Sequence, residues 1–390
     1  MKSKITFLFL AFLLSGFYLS AQETAVDPGI KVRKGFTLNV VESSVKSPRF
    51  MTFDDRGTLY VSLPGSGEIK SLRDDNHDGY YETVKTFVSG YPTVHGMYFY
   101  NGWLWFTQTG AIFKAMDSDH DGVADKTETV IPKGKLPSGG GHWWRPVLIH
   151  NNRLYTAIGC SGNISIDEGT GRQKIWSYNL QGGDKQLFIS GIRNTEKLLV
   201  RPGTDEIWGM DHGSDWFGRY LEDKSDTGGQ PITDYNPPGE MNHYVKGGFY
   251  GHPFIVGDRV PRYEYMDRPD IVELAAKTIV PEWSTGAHWA PNAMVFYTGK
   301  QFPESYKGDA FVAFHGSWNR SQKAGYCVSR VLFDQGHPYG ELKYVDFLTP
   351  DGQALGRPVD VEVAPDGSLL ISDDAGNKIY RLSWTGKSEK

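Results

Sequence analysis

The chain has 390 residues, with 46 Gly, 21 Pro, 14% aromatic residues, 22% charged residues, two Cys and a formal net charge of −5. Glycine and proline are scattered among aromatic and aliphatic runs with no fixed short period, which excludes collagen and low-complexity disorder and argues against a helical bundle. A pI near 6.1 without a polybasic face makes nucleic acid an unexpected partner.

At the N-terminus, Lys2 and Lys4 precede an apolar stretch from Ile5 to Leu14, then Ser15, Gly16 and a small-residue end at Ser20-Ala21. This is the three-part layout of a secretory signal, so residues 1–21 are expected to be removed near Ala21 and the protein to be periplasmic or secreted. The stretch is too short for a spanning helix, and no other segment approaches 18 apolar residues, so no transmembrane segment is expected. Residues 22–44 read as an N-terminal segment, 45–385 as one domain, and 386–390 as a tail. In an oxidising compartment Cys160 and Cys327 form one disulfide or stay as buried free thiols; their spacing does not choose.

One unit recurs along the domain: an apolar strand, a tight turn, and a second strand of alternating or aromatic character. It reads RFMTFDDRGTLYVSL (49–63), GMYFYNGWLWFTQ (96–108), RPVLIHNNRLYTAIG (145–159), KLLVRPGTDEIWGM (197–210), NAMVFYTG with DAFVAFHG (292–299 and 309–316), and VDVEVAPDGSLLISDD (359–374). Turns carrying Asp-Gly, Asn-Gly, Asn-Asn or Gly-Asp suit hairpins that need positive φ. The second strands begin near Leu59, Leu104, Leu154, Ile207, Phe311 and Leu369. Such spacing fits four-stranded blades, and radial closure protects strand edges without helices, so the expected fold is all-β, a six-bladed β-propeller. The long gap before Phe311 leaves seven blades as the alternative. Residues 214–290 read as a long insertion, with a helix-compatible stretch at 269–277.

Two acidic turns interrupt the repeats. In DSDHDGVADKTE, Asp117, Asp119, Asp121, Gly122 and Glu128 fall in the register of a calcium loop, with Asp125 as a further oxygen donor. DDNHDGYYE offers Asp74, Asn76, Asp78 and Glu82. No flanking helices are expected, so these are calcium-loop-like turns between strands, the alternative being simply solvated hairpin ends.

Among the eleven His, His77 and His120 lie in those turns, and His150 and His337 sit in turn-like segments. His95, His142, His212, His288 and His315 each stand beside Gly or Trp near a strand entry or exit, positions that in a propeller crowd toward one end of the central channel. GGGHWWRP (139–146) is the sharpest: glycines admit a ligand to the backbone, His142 can exchange a proton, and Trp143 and Trp144 offer stacking surface. A His bonding between blades is the other reading. No HxH or HExxH spacing supports zinc. Arg49, Arg193 beside Asn194, Arg320 and Arg357 occupy similar places in the repeat. Their convergence would suit a ligand with several carboxylates, and pairing with an Asp of a neighbouring blade is the alternative.

These stretches, GGHW with RLYTAIGCSGN, SGIRN, EMNHYVKGGFYGHP, FVAFHGSWNRS and GRPVDVEVAPDGSLLISDD with the closing IYRL, resemble the sorbosone dehydrogenase branch of the glucose/sorbosone dehydrogenase family. Those are soluble quinoproteins that use pyrroloquinoline quinone (PQQ), and the likeness covers about residues 45–385. It implies a six-bladed propeller with the quinone flat over one channel end and an aldose, sugar aldehyde or polyol as substrate. By resemblance His142 is the general base, Arg193 steadies charge on the quinone oxygen and Asn194 hydrogen-bonds the cofactor. His315, Arg320, Arg357 and Arg49 are its carboxylate or rim partners, and backbone carbonyls near His212 and Gly213 hold a calcium ion. The absence of CxxCH implies a separate electron acceptor. Two readings of other classes stand beside it: a propeller polysaccharide hydrolase or lyase, and a non-catalytic carbohydrate- or protein-binding propeller.

Overall fold

The computed structural model describes residues 26–217 and 231–386; the signal-like residues 1–21 lie outside the described residues. Six antiparallel sheets follow one another in sequence. Blade 1 comprises Met51–Phe53, Leu59–Leu63, Glu68–Arg73 and Thr83–Val88, and blade 2 Met97–Tyr100, Trp103–Gln108, Ala111–Met116 and Lys126–Ile131. Blade 3 comprises Leu148–His150, Arg153–Ile158, Lys174–Asn179 and Gln186–Ser190, and blade 4 Thr195–Val200, Ile207–Asp211, Gly239–Tyr244 and Trp283–Thr285. Blade 5 comprises Pro291–Phe296, Ala310–Phe314, Cys327–Asp334 and His337–Asp346, with Lys31–Val32 added at its outer edge. Blade 6 comprises Pro358–Val363, Leu369–Asp373 and Lys378–Trp384, and its outermost strand is Phe36–Glu42 from the other end of the chain. The fold is therefore the six-bladed propeller.

The recurring sequence unit is the innermost and second strand of each blade, and each second strand starts within one residue of its expected position. Positive φ at Asn101 (49°), Gly102 (75°), Asn151 (47°) and Asn152 (57°) makes the tight turns of blades 2 and 3, where Asn and Gly adopt the left-handed region at least cost. Each sheet buries both faces against its neighbours. Tyr60, Ile69, Phe87, Phe106 and Phe113 fill the space between blades 1 and 2, and Tyr297, Phe311, Tyr344, Val361 and Tyr380 that between blades 5 and 6.

Two expectations are corrected, and the open choice for the cysteines is decided. The seventh-blade alternative fails because 214–290 contains the third and fourth strands of blade 4; its extra length forms connections bearing a small hairpin (Ile255–Val256 with Val260–Pro261) and the helix Ile271–Lys277. The propeller does not begin at 45: Phe36–Glu42 pairs with Lys378–Trp384 and closes the ring. Cys160 and Cys327 are both buried free thiols, the second inside blade 5. Among the described residues no helix is long and apolar enough to cross a membrane.

Ring closure loads the seam. Leu38, buried against Leu382 and the blade 5–6 core, should cost about 2–4 kcal/mol when truncated to Ala, read as a lower urea midpoint at unchanged slope. A change below about 0.5 kcal/mol would show that the terminal strand does not carry the closure.

Candidate functional site

Chain direction decides where side chains gather. Innermost and second strands are antiparallel neighbours, so the residues entering the former and leaving the latter share one end of the channel. Arg49, His95, Arg193, Asn194, Ala290 and Arg357 stand at the entries, and Cys160, His212, His315 and Asp374 at the exits. The turns between the third and fourth strands of blades 1 and 2, which carry both acidic loops, fall at the opposite end.

Glu196 is the hub of the site end. Only 3% exposed, its carboxylate accepts from Arg49 Nη2 at 3.0 Å and Asn194 Nδ2 at 3.0 Å, with His95 Nε2 at 3.5 Å and His212 Nε2 at 4.0 Å. Burial opposes its ionisation, yet His95, Arg49 and His212 overcome that cost and hold it below the usual carboxylate range. Glu196 also heads an axial cavity of about 290 Å³ that runs down between the innermost strands. Arg49 reaches the other way to Asp374 (2.7 Å) and lies over Trp144, 4.8 Å from its ring centre. His95 stacks on the same indole at 4.6 Å.

His142 stands beside this hub. Its Nδ1 lies 2.9 Å from Cys160 O, and since a carbonyl only accepts, Nδ1 carries the proton and Nε2 is left as the basic atom. Burial and the Arg193 guanidinium push its pKa down to about 3, so the ring is neutral at physiological pH. His212 and His95 are pushed down to about 4, in both cases chiefly by burial and against the pull of Glu196. Arg193 is fixed by Asn163 O and Oδ1 (2.9 and 2.8 Å), Gly213 O (2.9 Å) and Asp215 (3.1 Å). His315 donates from Nε2 to Asp374 Oδ1 at 2.9 Å, and Arg357 donates to the His315 and Gly316 carbonyls. A small cleft of about 50 Å³ opens on this end between Arg193, His212, Asp215, His288 and Trp318, whose indole is 72% exposed.

The structure thus brings together His142, Arg193, Asn194, Arg49, His315, Arg357 and His212. Arg320 is not part of the cluster: its guanidinium sits near the Tyr235 ring and reaches Ala287 O at 3.5 Å. The Gly213 carbonyl accepts from Arg193 Nη1 at 2.9 Å and keeps a second lone pair. At the other end, Asp117, Asp119 and Asp125 carboxylates lie within 4.8 Å of one another, as do Asp74, Asp78 and Glu82. Glu128 is not among them, because it is held by Lys114 across the strand pair (2.9 Å) and by Lys126 on its own strand (2.5 Å); Asp121 faces Lys85 at 3.6 Å. Sequence reasoning missed Glu196, Asp374, Asp215 and Asp211, whose carboxylate accepts the backbone N–H groups of Arg193 and Asn194. Glu196 was within reach, for two residues after Asn194 in a strand share a face.

Buried neutral histidines and depressed carboxylates act in one sense on stability. The unfolded chain takes protons on these His at their ordinary pKa, whereas the folded chain does not, so stability falls as pH drops from about 6.5 toward 4. Glu196 adds a loss at lower pH still. Urea unfolding between pH 7 and 4 should show this decline, and His95→Gln should flatten it; an unchanged slope would refute the assignment. At pH 7, Glu196→Gln should cost about 3–5 kcal/mol by leaving Arg49 with one carboxylate fewer in a buried setting.

Similarity to known proteins agrees with this architecture. An uncharacterized protein of Borreliella burgdorferi is 27% identical over 390 residues, covering 95% of this chain and 94% of its own. Among solved structures, the AA12 carbohydrate-active enzyme of Trichoderma reesei superposes with a TM-score of 0.79 at 19% identity, over 94% of this chain and 100% of that one. The holo form of the pyranose dehydrogenase PQQ domain from Coprinopsis cinerea gives 0.76 at 19%, over 91% and 97%. At such identity these structures share the fold. The family model that matches, over residues 22–381, is described as a domain of unknown function, DUF7133, and the chain belongs to that family.

Proposed function

We propose that the protein is an exported PQQ-dependent dehydrogenase that oxidises an aldose, sugar aldehyde or polyol. The observation that carries this reading is His142: its Nδ1–H is tied to Cys160 O, and its basic Nε2 is left at the channel end shared with Arg193 and Asn194. The similar fold of a holo PQQ domain supports it.

The residues present fit a flat, polycarboxylate ring in one respect: Arg49 Nε, His212 Nε2 and Asn163 Nδ2 are buried at this channel end without hydrogen-bond partners. Around them Arg49, Arg193, Asn194 and His315 are held by Glu196, Asp374 and Asp215, and Arg357 by the His315 and Gly316 carbonyls, so a ligand carboxylate would have to share or displace those partners. When bound, PQQ supplies the two-electron acceptor that no side chain of this protein provides. His142 Nε2 accepts the substrate hydroxyl proton, and its lowered basicity favours handing that proton on at neutral pH. Arg193, held by four contacts, presents fixed positive charge without reorganisation. Electrons pass to a separate acceptor, since the chain has no CxxCH for haem.

Purified protein with calcium and PQQ should show the cofactor's absorbance and reduce a dye across a sugar panel. His142→Ala should lower kcat by about 10²–10⁴ while PQQ affinity changes little. The acid limb of the wild-type rate should lie near pH 3–4, limited by unfolding, with no inflection at 6.5. No cofactor absorbance and no turnover would end this reading, and turnover of oligosaccharides without quinone would favour a hydrolase or lyase.

The two acidic turns are proposed as structural calcium loops. In both, the first Asp accepts the N–H of the Gly five residues on (Asp117 to Gly122, 2.7 Å; Asp74 to Gly79, 2.8 Å), and that closure directs the remaining carboxylates to one centre. Calcium should raise the melting temperature, and the double variant Asp117→Ala, Asp119→Ala should lose part of that rise; an EDTA-insensitive melt would contradict it.

A further inference from the structure

The axial cavity below Glu196, about 290 Å³, is lined by residues of all six blades. Phe50, Met97, Val147, Leu199 and Met294, from blades 1 to 5 in turn, give it apolar walls. The exposed Pro202 and Thr298 mark its mouth, in turns at the end of the channel opposite His142. An apolar cavity of roughly 150 Å³ already admits benzene, so this one has room for a ring with a short chain.

One charge in its wall is left without a full partner. Blade 5 stands between blades 4 and 6, so Lys197 of blade 4 must cross the channel to reach blade 6, where Nζ lies 2.7 Å from Asp360 Oδ1, 2.7 Å from Glu362 Oε1 and 3.3 Å from Val361 O. Its three protons are thereby engaged, and an anionic ligand finds no donor on it. Asp360 is 0% exposed and both its oxygens are occupied: Oδ1 also accepts the Val361 N–H and Oδ2 the Met51 N–H, each at 2.8 Å. Glu196, at the top of the cavity, is engaged by Arg49 and Asn194. Glu362 differs. Its side chain lines the cavity and is 18% exposed, and among the described residues no side chain but Lys197 donates to it. Two carboxylates thus share one ammonium in a poorly hydrated wall, and burial raises the pKa of both against the pull of Lys197.

We infer that this part of the channel is a second binding site, for a small organic cation: an aryl- or alkylammonium whose body fills the apolar space beneath Glu196 and whose charge lies against Glu362. Glu362 is the fifth of six residues in Pro358–Val363, near the strand end away from His142, so the charged tip stays by the wet mouth while the body points inward. The ligand supplies the positive charge that Lys197 alone does not. Met97 and Met294 offer polarisable walls that adapt to bodies of different shape. A carboxylate or phosphate is repelled by the same excess of negative charge, and a neutral body gains only from burial.

Purified protein without calcium or PQQ is titrated calorimetrically with phenethylamine, phenethyl alcohol and phenylpropionate, which share one body and differ in charge. The amine should bind about tenfold or more tighter than the alcohol, as a hydrogen bond to a charged group allows, and the acid more weakly than either. Glu362→Gln leaves Lys197 and Asp360 as a balanced pair; it should bring the amine to the alcohol's affinity and leave the alcohol unchanged. Leu199→Trp, which fills the lower channel, should remove binding of both. Equal affinity for amine and alcohol in the wild type, an amine preference that survives Glu362→Gln, or no binding of any of the three overturns the site. So does displacement of the amine by an equal concentration of ammonium chloride, which has the charge without the body. Should Glu362→Gln fail to fold, the wild-type ranking and Leu199→Trp decide. The quinone reading plays no part in these measurements, so the failure of either leaves the other standing.

Discussion

A buried carboxylate must be neutralised or bound on every side, and Glu196 meets that requirement by drawing groups from three blades to one point. Arg49 comes from the entry to blade 1, His95 from the entry to blade 2, and Asn194 and His212 from the two inner strands of blade 4. Because Arg49 also bridges to Asp374, blade 6 is drawn in, and through Asp374 so is His315 of blade 5. The ends of five blades are thereby locked into one charge network. Remove the central anion and the cations around it face one another across a poorly hydrated channel.

The network also fixes the protonation of what stands above it. His142, His212 and His95 are neutral because burial and nearby guanidinium groups make a second positive charge costly. A neutral His whose Nδ1–H is committed to a backbone carbonyl has one basic atom and one direction, which is what proton abstraction at a set position needs. Positive charge nearby is carried by the Arg49 and Arg193 guanidinium groups, each paired with a carboxylate.

Function and stability are separated along the channel axis. Connections from second to third strands, and from each blade to the next, make the site end, while the opposite end carries the tight turns and both acidic loops. An ion held in those loops would brace blades 1 and 2 far from the chemistry. Blade 4 carries a long connection between its third and fourth strands, residues 245–282, which returns to Glu240 through Gly257.

The sequence by itself determined the repeat, because alternation and turn chemistry are local: strand pairs around Asn101-Gly102 and Asn151-Asn152 are legible from a dozen residues. It also marked Arg193, Asn194 and Arg357 at strand entries, His315 at a strand exit, and His142 in the Gly-rich loop ahead of blade 3. Tertiary structure alone decided the rest. Phe36–Glu42 closes the ring against a strand more than 330 residues away, and no local pattern encodes that partner. Arg320 and Glu128 have the right type and spacing yet point elsewhere, because neighbouring side chains, Tyr235 in one case and Lys114 with Lys126 in the other, claim them. Glu196, Asp374 and Asp211 matter only through what they touch across blades, and a charge's worth is set by its burial and partners, neither of which is a property of its place in the chain.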